Sequence, residues 1–178
     1  MKVIKDMEEK DIIVNKVANS GLITLNLENF LDRKERVIYD IKDNLYEGLI
    51  LKEKDFRTFI KQHEWEQYKD KNVGLICSAE AIVPTWAYML LTSKLEPYAN
   101  LVVFGGSDDL EKALVHQALV KVDFSEFQDA KVVIKGCADL KVPEYMFVET
   151  TRRLRPYASS IMYGEPCSTV PIYKKPRR

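Results

Sequence analysis

Apolar and polar residues alternate at period two over residues 21–27, GLITLNL, which predicts a half-buried strand. RVIYDI (36–41) and GLIL (48–51) predict two more, and Lys42-Asp43-Asn44 between them has turn chemistry. Over 54–65 the period becomes helical, with Phe56, Phe59, Ile60 and His63 on one face. His63, at the edge of that stripe, reads as a packed or partly exposed histidine and not a ligand. After residue 72 short continuous apolar runs appear: VGLI (73–76), LVVF (101–104), KVVI (131–134) and SIMY (160–163). Helical patterns over 84–95, 108–122 and 143–154 separate them. Apolar strands alternating with helices of this length predict βαβ units and a parallel sheet. Pro84 and Pro143 suit a first helical position, and Asp108 with Glu111 has capping-box spacing. The expected fold is α/β: a mixed sheet with a parallel βαβ core of two repeated units, an N-terminal β-rich addition, and helices packed on the sheet. The expected organisation is a mixed-charge arm at 1–12, one domain at 13–174 and a basic tail at 175–178.

The chain repeats itself after 59 residues. Val83-Pro84 recurs as Val142-Pro143, and Leu95-Glu96-Pro97-Tyr98-Ala99 as Leu154-Arg155-Pro156-Tyr157-Ala158. Each unit reads strand, polar loop, Val-Pro, helix, Leu-x-Pro-Tyr-Ala, strand, glycine. A proline near the helix end cannot continue the helix and turns the chain back toward the sheet.

Cys77, Cys137 and Cys167 each follow a predicted strand and precede a Val-Pro. Cys77 and Cys137 fall at matching strand ends of the repeat and just before a helix, where the dipole favours a thiolate. Asp108 is the residue 59 positions before Cys167. If the strands belong to one sheet, the three thiols share the edge where open α/β sheets bind ligands.

Composition narrows the chemistry. The 178 residues carry 27 Lys+Arg and 27 Asp+Glu, so bulk attraction to nucleic acid or an anionic membrane is not expected. An odd number of widely spaced cysteines is not a disulfide framework. The start has no apolar core of signal-peptide type. The run 86–91 is far short of the roughly 20 residues a membrane span needs, so a cytoplasmic location is the expectation. Three converging thiolates would suit zinc or an iron–sulfur cluster, with Asp108 or Asp139 as weaker ligand candidates. Packing is the competing reading for any one cysteine. Gly105-Gly106-Ser107-Asp108 lacks dinucleotide or P-loop spacing and reads as a turn. Neither histidine lies at the strand-end edge to serve a cysteine nucleophile. The helix with Trp86, Tyr88, Met89, Leu90 and Leu91 is apolar nearly all round, which means deep burial or burial against a second chain.

Several segments resemble one bacterial family, catalogued as domain of unknown function 2480: IVNKVANSGLITLNLE (13–28), EGLILKEKDFR (47–57), CSAEAIVPTWAYMLL (77–91), VIKGCAD (133–139) and GEPCSTVPIYK (164–174). The resemblance implies no established activity. It does imply genomic neighbours in iron–sulfur cluster assembly, and hence iron–sulfur assembly proteins as partners. Three roles follow as expectations. The first is an accessory factor of iron–sulfur or thiol-metal metabolism, binding through Cys77, Cys137 and Cys167. The second is an adaptor or homo-oligomeric scaffold that docks through the surface around Trp86 and Tyr88, with the cysteines as core filler. The third is a thiol enzyme carrying sulfur on Cys167 or Cys77.

Overall fold

The computed structural model describes residues 15–16, 21–136 and 142–176. In chain order its strands and helices are β1 (Asn15–Lys16), β2 (Leu22–Asn26), β3 (Arg36–Asp40), α1 (Glu53–Gln62), β4 (Asn72–Ile76), α2 (Thr85–Leu95), β5 (Leu101–Phe104), α3 (Ser107–Val120), β6 (Lys131–Lys135), α4 (Glu144–Leu154), β7 (Ser160–Glu165) and β8 (Ser168–Lys174). The fold is α/β with parallel strand pairing, as the apolar runs predict. The strands are shared between two sheets, however, where the run pattern suggests one. The chain divides into two compact units, Arg33–Leu114 and the segments Met1–Asp32 and Val115–Arg178.

The inner unit, Arg33–Leu114, holds the sheet β3-β4-β5, parallel throughout. Its central strand β4 is the most enclosed, with Val73 and Leu75 buried. They join Tyr39, Ile41, Phe56, Ile60, Ala87, Leu91 and Leu95 in one apolar core. The outer unit holds the sheet β1-β2-β6-β7-β8. Here β2, β6 and β7 run parallel, while β1 and β8 lie antiparallel at the edges. Val132 and Ile134 of β6 anchor a second core with Leu25, Leu27, Met146, Leu154 and Ile161. The period-two pattern identifies the strands and leaves their neighbours open. Each N-terminal strand goes to a different central strand, β2 to β6 and β3 to β4.

The repeat holds in three dimensions. The bounds of β4, α2 and the start of β5 recur 59 residues later in β6, α4 and β7. So do the 3₁₀ turns Trp65–Tyr68 and Phe124–Phe127. Asp70 and Asp129 share a positive φ (59° and 54°), and their amides donate to the carbonyls of Tyr98 and Tyr157. The Leu-x-Pro-Tyr-Ala motif thus returns the chain to the sheet in the same way twice. The first strands match with a different offset: Arg36 lies opposite Asn72, and Leu22 opposite Lys131. Asn26 and Asp40 end these strands alike, each accepting the amide two residues on to cap a 3₁₀ turn.

Several local expectations are corrected. Residues 48–51 form no strand. Glu47 and Gly48 at positive φ (53° and 71°) fold the chain back, so that the Tyr46 amide donates to Ile50, leaving isolated bridges. Pro84 and Pro143 are N-caps with extended ψ (138° and 140°), because the helices begin one residue later. α3 begins at Ser107, before the expected cap Asp108. Asp109 supplies the bond instead, its Oδ2 accepting the Gly106 amide at 3.1 Å. Strand β8 has no counterpart among the predicted elements. Pro171 argues against a strand, and is accommodated because β8 is an edge with a register shift opposite Ile161/Met162.

Candidate functional site

The carboxyl ends of β3, β4 and β5 bring together the inner unit's chemistry. Asp40 ends β3, Cys77 and Ser78 follow β4, Phe104 ends β5, and Gly105-Gly106 follow it. The Asp40 carboxylate accepts the Ser78 hydroxyl at 2.5 Å and the Ser78 amide at 3.0 Å. It also accepts the Lys42 amide at 3.1 Å, and the Lys42 ammonium stands 3.3 Å away. Desolvation pushes the carboxyl upward, but the Ser78 and Lys42 hydrogen bonds outweigh it and hold Asp40 at about 2. A carboxylate this acidic, with its oxygens already occupied, is a poor base for the Ser78 hydroxyl near neutral pH. The pair works as a tie between two strand ends.

Cys77 is half-buried, and its thiol donates toward the Ala79 carbonyl at 3.5 Å. Tyr88 on α2 stands edge-on to Phe104, ring centroids 5.0 Å apart. Burial raises the Tyr88 hydroxyl above its ordinary value, and electrostatic interaction with the nearby Cys77 and Asp40 adds to that. The glycine turn after β5 is spoken for, since Asp109 of its own helix takes the Gly106 amide that a phosphate would need.

The outer unit repeats the aromatic pair. Phe147 and Tyr163, each 59 residues on from Tyr88 and Phe104, are also edge-on, with centroids 5.6 Å apart. The cysteines do not repeat. Position 59 after Cys77 is Gly136, and Cys137 matches Ser78, so the matched-end reading of these two thiols is off by one residue. An added Cβ at Gly136 would press on Val142 and Leu27, at 3.0 and 3.3 Å. The match also ends at Gly105 and Gly164, so Asp108 and Cys167 are not equivalent: Asp108 is exposed in the first turn of α3, while Cys167 is exposed in the two-residue turn between β7 and β8.

The three cysteines therefore do not end strands of one sheet. Cys77 follows the β3-β4-β5 sheet and Cys167 the five-stranded one. Cys137 and Asp139 lie outside the described residues. Among the described residues no three His, Cys, Asp or Glu side chains are grouped to hold a metal ion. Cys77 is half-buried and packs against the apolar core of its unit, whereas Cys167 is exposed and is no core filler. His63 is packed as expected, its ring 4.7 Å from Phe59 and 4.6 Å from Trp65. Burial lowers its proton affinity, against the charge of Glu64. No helix among the described residues is long and apolar enough to cross a membrane.

α2 is apolar on more than its core face. Ala87, Leu91 and Leu95 point into the core and Trp86 packs on Phe56, while Met89 is 67 % exposed. Val148, at the matching place on α4, is 66 % exposed, and Phe104 and Tyr163 are 71 % and 40 % exposed. Asp40, Ser78 and Phe104 escape a reading by motif. The repeat offset was the available signal for Phe104, because it pairs that residue with Tyr163.

A model of the family described as "Protein of unknown function (DUF2480)" matches residues 11–175. No curated protein and no solved structure matches the chain.

Proposed function

The chain belongs to this family of unknown function, DUF2480, so its role is read from its own surface, and we propose that it is a protein–protein adaptor built from two like modules. One observation carries the reading: large apolar side chains stay in solvent at matching places of both units, Met89 with Val148 and Phe104 with Tyr163. A single exposed apolar residue is ordinary. Two units that differ at most other positions, yet keep the same two places apolar and exposed, argue for a partner on that surface. The saturated Asp40 supports the reading from the other side, since the inner strand-end cluster holds no ready base.

The test replaces Met89, Phe104, Val148 and Tyr163 together with glutamate, in cells whose growth depends on the protein. A variant that folds, by circular dichroism, and fails to support growth is the expected result. Full growth overturns the reading.

A second reading, sulfur transfer on Cys167, is favoured by the exposure of that thiol at a hairpin tip. A persulfide found by mass spectrometry on Cys167 alone would support it. The zinc or iron–sulfur reading needs Cys77, Cys137 and Cys167 together, with iron–sulfur assembly proteins as partners. Metal analysis of anaerobically purified protein tests it, and metal-free protein would end it.

A further inference from the structure

We propose that β5 is the strand through which two copies of this chain pair, antiparallel, across a two-fold axis. The proposal rests on the adaptor reading only in sharing Phe104, and adds a partner: a second copy.

The repeat exposes the gap. β7 has β6 on one side and β8 on the other. Its counterpart β5 has β4 on one side, and among the described residues no strand on the other. The cause lies at Gly74. A Cβ there would stand 2.7 Å from the Gly105 carbonyl oxygen, so its absence lets the chain cross close over β4 and leave for α3. At the matching place β6 has Val133, and its neighbour β7 runs on into the hairpin instead.

The other described sheet edges are blunted. β1 has two residues, and β8 carries Pro171 and a register shift. β3 is bracketed by charged Arg36 and Asp40. β5 reads Leu101-Val102-Val103-Phe104, with no charge and no proline. Such an edge is a template for another strand.

Its composition suits a copy of itself. Four uncharged residues meet no like charge when the strand faces its own image, and a chain of zero formal charge does not repel its copy at long range. The backbone defines the register. The Gly105 amide donates to the Leu75 carbonyl, so by strand alternation Val103 also turns its main chain toward β4, while Val102 and Phe104 turn theirs outward. An antiparallel partner then sets Val102 against Phe104 of the second copy as hydrogen-bonded pairs, with Val103 facing Val103 at the centre. Exposed Phe104 would cover the second copy's Val102, an aromatic–β-branched pair.

Val102→Pro is the decisive variant, because it deletes an outward N–H and leaves the β4 ladder alone. In sedimentation velocity over a concentration series, the wild-type chain is expected to shift from monomer to dimer, and Val102→Pro to stay monomeric. Phe104→Lys serves as a second variant if the proline chain does not fold. A wild-type monomer at every concentration, or a dimer that survives both substitutions, overturns the proposal. Met89→Glu with Val148→Glu separates the two readings. It is expected to remain dimeric while failing to support growth, and failure of one result leaves the other standing.

Discussion

The Ser78 hydroxyl and amide both donate to Asp40, at 2.5 and 3.0 Å, and join the end of β4 to the end of β3. Ser78→Ala removes the hydroxyl bond that most opposes desolvation of Asp40. The carboxyl is expected to rise from about 2 toward the ordinary 3.8, as read by carbon-detected NMR titration. The stability it lends is complete above 3.8 and fades as the pH falls toward 2, so the variant should be less stable than the parent near neutral pH and should lose less between pH 3.8 and 2.

Glu149 gives a second acid-sensitive point in the outer unit. Arg152 and Arg153 both donate to it, at 2.6 and 2.9 Å. These bonds, Arg152 first, overcome desolvation and hold its carboxyl at about 2 instead of 4.5. The stabilisation is present above 4.5 and disappears as the pH falls through 2. Glu149→Gln is expected to be less stable than the parent at neutral pH, with a flatter loss between pH 4.5 and 2, by urea unfolding at a series of pH values.

Leu91 and Thr150 occupy matching places on α2 and α4, both fully buried. Leu91→Ala is expected to cost about 2–5 kcal/mol through lost burial and a cavity. The Thr150 hydroxyl has no hydrogen-bond partner among the described residues. Thr150→Val keeps the shape and drops the buried hydroxyl, so a gain of about 1 kcal/mol is expected in denaturant unfolding.

Gly74→Val copies onto β4 the residue that β6 carries at Val133. The added side chain meets the Gly105 oxygen at 2.7 Å and the Ile38 Cδ1 at 2.8 Å. A backbone oxygen cannot rotate away, and overpacking of this kind costs about 1–3 kcal/mol. Hydrogen exchange should show faster opening of β4 and β5 and unchanged protection of β6.

Cys167 is exposed and Cys77 half-buried. Iodoacetamide labelling followed by mass spectrometry is expected to modify Cys167 several-fold faster. Equal rates would mean that Cys77 is as open as the hairpin tip.

Much of the fold was legible because local rules govern it. Val-Pro before a helix and Leu-x-Pro-Tyr-Ala after it mark the same helix ends in both units, and the bounds of α2 and α4 follow them within a residue. The candidate site was less legible. Cys77, Cys137 and Cys167 look alike as thiols after strands, but a strand's residues do not say which strand lies beside it. Asp40 and Ser78 are 38 residues apart and match no motif.

The sequence by itself determined the α/β class, the strands' apolar faces, the 59-residue repeat and the helix caps' approximate places. The repeat is a direct comparison of residues 59 apart, and each of the others depends on residues within a turn or two of one another, where spacing maps directly onto geometry. Only the tertiary structure decided that β2 joins β6 while β3 joins β4, that Cys77 and Cys167 follow different sheets, and that among the described residues no strand flanks β5 where β8 flanks β7. Those outcomes depend on which distant segment covers each apolar face. A period-two pattern says that a face must be covered, and leaves open by what.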